Sequence, residues 1–212
     1  MTLLKINNLE YRLSGGRTLF DGLGFEIKPS GGLLIFGPNG SGKTTLVKLI
    51  LGLIKNYRGD VAIMGKSWRG LNEAQRTAQR GQLGFIMQEP VVFEDLSLVD
   101  NISIYLNLAK KRIPRKVIMK NLYKNGFSGL QKKKVGSLSW GQIRMLEMLR
   151  IVMKSPQLVI CDQPFAALDE DKMIWLADKL NALINSGSGV IVTYSLPKVR
   201  NYLDWPQIRL SG

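Results

Sequence analysis

The segment Gly37-Pro-Asn-Gly-Ser-Gly-Lys-Thr44 constrains the fold more than any other, because it joins a continuous apolar run, Leu33–Phe36, to an amphipathic stretch, Thr44–Leu53. Its spacing matches G-x-x-x-x-G-K-[ST] completely. The apolar run has the form of a fully buried strand, and Leu46, Val47, Leu49, Ile50 and Leu53 fall on one face of a helix. Strand, glycine loop and helix in this order begin a phosphate-binding α/β unit. Gly37, Gly40 and Gly42 let the turn through Pro38, Asn39 and Ser41 aim free backbone N–H groups at one point beside a helix N-terminus. Unpaired donors and the helix dipole favour an anion there. Lys43 is placed to reach the β- and γ-phosphates of a nucleotide, the Thr44 hydroxyl to meet Mg²⁺, and Thr45 completes the phosphate-binding set. A chance glycine turn would not also supply the lysine and the hydroxyl. The second acid of such a site ends a distant apolar strand, as Asp162 does after Gln157–Cys161, and is expected to hold Mg²⁺ through water.

The remaining pattern is read as one domain of 212 residues with a helical insertion. Leu3–Ile6, Gly24–Ile27, Gly59–Met64 and Gly84–Met87 read as strands, and residues 91–149 as a mostly helical subdomain. The α/β pattern returns over 150–212, with strands Gln157–Cys161, Gly189–Thr193 and Ile208–Leu210 and a helix Glu170–Ile184. No C-terminal regulatory domain is expected after that last strand. Between Lys110 and Lys134 there are ten basic residues and no acid; a solvated face of short helices is preferred to a dedicated anion site, with nucleic acid and anionic lipid headgroups beside a membrane partner as the alternatives.

Thirty Lys and Arg against sixteen Asp and Glu give a formal charge of +14. That balance suits a polyanionic partner, whether nucleotide, nucleic acid or anionic membrane, and does not choose among them. The absence of histidine excludes histidine metal sites and Ser/His or Cys/His nucleophile pairs. Cys161, the single cysteine, has no intrachain disulfide partner and reads as a buried thiol in a reducing compartment. No apolar run reaches the ~18 residues that span a bilayer, and Met1–Arg12 lacks a signal-peptide apolar region, so a cytoplasmic chain is expected.

Leu138-Ser-Trp-Gly-Gln142 resembles the LSGGQ signature of ABC-type ATPases and lies between the two nucleotide motifs, as that family requires. Gln88 in Phe85–Pro90 resembles the Q-loop, Leu96–Ile102 the start of the helical subdomain, and Ala167–Asp169 the D-loop. The resemblance covers essentially the whole chain and implies an α/β fold: a P-loop NTPase core (RecA-like, ABC type) with an antiparallel β subdomain and an inserted helical subdomain. It also implies two domains packed head to tail around ATP and Mg²⁺, as a homodimer or a heterodimer with another ABC ATPase. Ser139, Gly141 and Gln142 would meet the γ-phosphate held by the opposite chain, so ATP itself would favour closure. Gln88 would contact the metal and the attacking water. Separate transmembrane permease subunits would carry the cargo, placing the chain on the inner face of a membrane through that partner. Within the family the chain is similar to the ATP-binding subunit of the haem exporter of cytochrome c maturation, on Arg17–Phe25 and Asp162–Asp169.

The chain departs from the family in several places. Trp140 replaces a signature glycine and Met145 a common basic residue, and both Tyr11 and Leu13 fit the place of the aromatic that stacks on adenine. Gln163 stands at the general-base position, where the family has glutamate, and Tyr194 at the H-loop position, where it has histidine. An amide orients water but has no useful basicity, and a phenol of pKa ~10 is a poor base at neutral pH. Slow or absent hydrolysis is therefore expected. Either a naturally degenerate site or an engineered exchange of a parental glutamate would produce Gln163. A non-hydrolysing regulatory subunit is the alternative to a transport motor. A soluble ABC protein acting on nucleic acid is the third reading, disfavoured because such proteins usually have tandem ATPase domains or long coiled-coil insertions.

Overall fold

In the computed structural model, which describes residues 1–211, the chain begins with β1 (Leu4–Arg12), β2 (Thr18–Ile27), β3 (Gly32–Phe36) and α1 (Lys43–Ile50). It continues through β4 (Arg58–Ile63), β5 (Lys66–Ser67), α2 (Glu73–Arg80) and β6 (Gly84–Ile86). Helices α3 (Leu98–Leu108), α4 (Arg115–Lys124) and α5 (Trp140–Lys154) follow, then β7 (Leu158–Asp162), α6 (Glu170–Asn185), β8 (Gly189–Tyr194) and β9 (Gln207–Arg209). Two sheets result, one antiparallel in the order β2-β1-β4-β5 and one parallel in the order β6-β7-β8-β3-β9. Their burial explains the difference. Every residue of β7 and β8 is buried, as strands covered on both faces must be, whereas β1 and β2 interleave buried and exposed positions. The expected α/β architecture is present, with an antiparallel sheet beside the parallel core and helices between β6 and β7.

The two faces of the parallel sheet sort by alternation along each strand. Leu33, Ile35, Leu158, Ile160 and Ile191 join the cluster that contains Leu4 and Ile6 of the antiparallel sheet and Leu46, Leu49 and Ile50 of α1. Leu34, Val159, Cys161, Val190 and Val192 point the other way, onto Met148 and Ile151 of α5 and Leu176 and Leu180 of α6. A slip of one residue would exchange these sets, so the burial pattern itself fixes register. Helix α1 is shorter than expected, ending at Ile50 rather than Leu53. Gly52 turns left-handed there, at φ 66°, and a Cβ on it would come within 2.7 Å of the Trp68 ring. The Trp68 indole N–H also donates to the Ile50 carbonyl at 2.9 Å.

The inserted helices have a third apolar cluster, including Leu98, Ile102, Leu106, Ile118, Leu122 and Phe127. Helix α5 is shared: Leu146 and Met153 enter that cluster, while Met148 and Ile151 enter the cluster against the parallel sheet. It runs unbroken across position 149, where a subdomain boundary was expected. A buried charge cluster on α5 ties it to the segment after β6. Arg144 Nη1 donates to Glu147 Oε2 at 2.8 Å and Arg150 Nη2 to Glu147 Oε1 at 3.0 Å. The same guanidiniums reach the carbonyls of Met87 (2.9 Å), Gln88 (2.9 Å) and Val91 (2.6 Å), and the Val91 N–H donates back to Glu147 at 3.1 Å. Burial pushes the Glu147 carboxyl up, and the Arg150 and Arg144 cations pull against it. Removing one member of such a group leaves uncompensated buried charge, so Glu147→Ala should lower stability by about 3–5 kcal/mol. Urea unfolding tests this, and a stability equal to that of the unmodified chain contradicts it.

Candidate functional site

In an open parallel sheet, ligands collect beyond the carboxyl ends of the strands. The loops after β3, β6, β7 and β8 all leave from that edge, bringing the phosphate loop, Gln88, Gln163 and Ser195 together. A cleft there is lined by Asn39, Gly40, Gly42, Lys43, Thr44 and Thr45 on one side and Gln88 and Gln163 on the other, with Leu13 and Leu19 forming an apolar wall. The loop takes its shape from left-handed Gly40 (φ 81°) and Gly42 (φ 94°), the latter capping α1. Lys43 is buried, and its ammonium donates to the carbonyls of Gly37 and Pro38 at 2.8 Å each. Burial holds that ammonium below its ordinary pKa, partly offset by the Asp162 carboxylate. Ser41 is fully buried and its hydroxyl has no partner.

Across the cleft, Asp162 is fully buried at the end of β7. Thr193 Oγ1 donates to Asp162 Oδ1 at 2.6 Å and accepts from the Gln163 N–H at 3.0 Å. One hydroxyl thus fixes both the carboxylate and the backbone of Gln163, which is left-handed at φ 49°. Such a conformation is uncommon outside glycine and asparagine and persists where its surroundings over-determine it. Ser195 Oγ lies 3.3 Å from Gln163 Oε1 and 3.4 Å from Asn39 Oδ1. Its single proton serves one of them at a time, through a long hydrogen bond.

Tyr194 does not line this cleft. Its ring stacks on Phe36 at 5.8 Å, and its hydroxyl lies 3.3 Å from Gln207 Oε1. Burial raises the phenol's pKa against the pull of Arg200, so it is further from acting as a base than a free tyrosine. Ser195, which follows the end of β8 and which sequence reasoning passed over, meets the cleft residues Gln163 and Asn39 through its hydroxyl, and both it and Tyr194 border an adjoining recess with Gly37 and Pro38. Tyr11 and Leu13 lie in different recesses: Tyr11 lies with Phe20 and Tyr57, while Leu13 lines the phosphate cleft. The Leu13 position is braced by hydrogen bonds from its N–H to the Arg17 carbonyl and from the Gly16 N–H to its own carbonyl, both 2.9 Å.

Ser139, Gly141 and Gln142 do not line the cleft either. Ser139 caps α5 in a reciprocal box with Gln142: the Ser139 N–H donates to Gln142 Oε1 at 2.9 Å and the Gln142 N–H to Ser139 Oγ at 3.3 Å. Gly141 permits close approach of α6, since a Cβ there would meet Lys172 Cδ at 2.9 Å. Trp140 is 45% exposed. The N-terminus of α5 therefore presents a capped, outward-facing end.

The donors suit magnesium. Asp162 Oδ2 is buried with no hydrogen-bond partner, and Thr44 Oγ1 lies 3.3 Å from Gln88 Oε1. All are hard oxygen donors, the type Mg²⁺ prefers. Among the described residues no three His, Cys, Asp or Glu converge on one point, so phosphate oxygens would complete the coordination. Cys161, next to Asp162, is inert: burial pushes its thiol up to about 12.

A family model described as "ABC transporter" matches residues 20–166. The chain is 33% identical over 177 residues to the cytochrome c biogenesis ATP-binding export protein CcmA of Reclinomonas americana, covering 80% of this chain and 77% of that protein. It is 28% identical over 213 residues to the intermembrane phospholipid transport system ATP-binding protein MlaF of Haemophilus influenzae, covering 97% of this chain and 80% of the relative. A solved dimeric ATP-binding cassette in a post-hydrolysis state, bound to ADP and Pi, superposes with a TM-score of 0.83 at 25% identity, over 98% of this chain and 94% of that one.

A base resting against the aliphatic wall at Leu13 would lack an aromatic stacking partner. Leu13→Tyr should tighten ATP binding on the order of tenfold, read by fluorescence titration. Unchanged affinity in that variant, together with weakened binding in Tyr11→Leu, would place the base at Tyr11 and contradict the assignment.

Proposed function

The chain belongs to the ABC transporter family, as an ABC ATPase nucleotide-binding subunit, and from that premise we propose that it is a motor subunit that closes on a second copy of itself around ATP. The observation that supports this reading is a lysine-bearing phosphate loop within electrostatic reach of a buried acid, Asp162, that keeps one oxygen unpartnered. In the proposed complex Gly37 to Thr45 hold the phosphates, and Lys43 exchanges its two carbonyl partners for phosphate oxygens. Thr44, Gln88 and Asp162 would hold Mg²⁺, which when bound neutralises charge between the β- and γ-phosphates. Ser139, Gly141 and Gln142 of the second copy would cap the γ-phosphate, with exposed Trp140 at the same contact. Closure of this kind needs a ligand that binds the closed state better than the open one, and a triphosphate contacted from both sides is such a ligand.

Gln163 and Ser195 are proposed to orient the attacking water without accepting its proton. Tyr194, turned toward Gln207, is proposed to take no direct part. Hydrolysis is accordingly slow, and ATP holds the dimer closed for longer than an ordinary family member would. The cargo belongs to separate transmembrane permease subunits. Haem export for cytochrome c maturation is the cargo reading supported by the 33% identity to CcmA, and membrane association through that partner accords with the lack, among the described residues, of any helix long and apolar enough to cross a bilayer.

Restoring a carboxylate separates slow chemistry from a silent site. Gln163→Glu should raise ATP turnover by roughly 10²–10⁴-fold, the usual contribution of a general base, with ATP affinity unchanged. If the unmodified chain already turns over at the rate of the variant, the slow-hydrolysis reading fails. If neither form turns over with its membrane partners present, a regulatory nucleotide-binding subunit replaces the motor.

A further inference from the structure

We propose that α4 and the turn before it make a direct contact with an anionic lipid surface, in addition to any contact made through a membrane partner. The helix buries Ile118 and Leu122, which puts Lys116, Lys120 and Lys124 in a row on the opposite face at i, i+4 and i+8. All three are exposed. Like charges four residues apart repel along a helix, and Arg115 and Lys116 in a first turn without any acid oppose its dipole. Among the described residues no acid pairs with this row. Arg115 pairs with Asp100 at 2.6 Å and Lys134 with Asp95 at 3.2 Å, and Lys111 donates to the Lys154 carbonyl at 2.8 Å. Among the described residues Lys110, Arg112, Lys116, Lys120 and Lys124 enter no ion pair.

The turn before α4 adds further basic residues. Asn107, Lys110 and Arg112 line one surface notch at the end of α3, and Lys110 is held there in a left-handed backbone conformation, φ 56°. The apolar neighbours decide which polyanion fits. Tyr123 is 65% exposed beside the lysine row, with Val117 and Met119 on the same helix and Leu108 next to the notch, all exposed. A phosphodiester backbone offers nothing to Val117, Met119 and Leu108. A bilayer offers both layers at once: headgroup phosphates for the lysines, and the acyl boundary for the aliphatic and aromatic side chains.

Co-sedimentation of the full chain with vesicles tests the contact. At moderate salt the unmodified chain should bind phosphatidylcholine vesicles containing phosphatidylglycerol, and should not bind vesicles of phosphatidylcholine alone. The triple variant Lys116→Gln, Lys120→Gln, Lys124→Gln should bind the anionic vesicles roughly 100-fold more weakly, about fivefold per lysine, while binding a fluorescent ATP analogue normally. Should the triple variant not fold, Lys120→Gln alone gives the fivefold reading, and Tyr123→Ser should weaken binding without altering its salt dependence. The proposal is overturned if the unmodified chain ignores anionic vesicles or if the triple variant binds them undiminished. It is equally overturned if single-stranded RNA binds more tightly than the vesicles and is lost with the same substitutions. ATP-analogue binding is read separately, so a failed lipid contact leaves the motor assignment standing.

Discussion

A fully buried carboxylate at the end of a parallel strand sets the conditions for the rest of the site. Asp162 has one oxygen fixed by the Thr193 hydroxyl at 2.6 Å and the other without a partner. A buried carboxylate oxygen without a partner is costly unless a cation or water answers it, and Lys43, within electrostatic reach of Asp162, is itself buried and engaged with the Gly37 and Pro38 carbonyls. Both sides therefore hold electrostatic interactions in reserve. In the proposed complex a phosphate chain carrying a hard divalent cation would answer both the unpartnered oxygen and the lysine. Thr193 extends the constraint to chemistry, because the same hydroxyl that holds Asp162 holds the left-handed backbone of Gln163.

The second organising element is α5, which spans two apolar clusters and begins at the capped Ser139 end. Its buried Arg144–Glu147–Arg150 group grips the carbonyls of Met87, Gln88 and Val91. Gln88, whose side chain meets Thr44 in the cleft, is thereby fastened through its carbonyl to α5, whose N-terminus faces outward. In the proposed dimer that end meets the other copy's nucleotide, so the two half-sites are linked by packed charge rather than by a flexible loop.

The phosphate loop was legible because glycine, lysine and threonine spacing is a local property, and the buried strands because continuous apolar runs leave few alternatives. What was not legible depended on direction and register. Only the stacking of Tyr194 on Phe36 and the contacts of Ser195, just past the end of β8, reveal that Ser195 rather than Tyr194 hydrogen-bonds with Gln163 and Asn39. Tyr11 and Leu13 could not be separated by spacing, because the β1–β2 ladder is irregular on both sides of Tyr11. Glu147 sits at helical spacing between two arginines, a pattern equally suited to a solvated face; its burial follows from α5 lying between two cores. The basic run was legible as charge, and the helix phase of α4 put Lys116, Lys120 and Lys124 of it in one exposed row.

The central claim, that the nucleotide cleft is completed by a second copy, is tested most directly by the mass of the chain in sedimentation velocity. Saturating MgATP should produce a species of twice the monomer mass, while MgADP and nucleotide-free samples should remain monomeric. A monomer at saturating MgATP, with binding confirmed in the same sample, would contradict the account, as would a dimer that forms equally well without nucleotide.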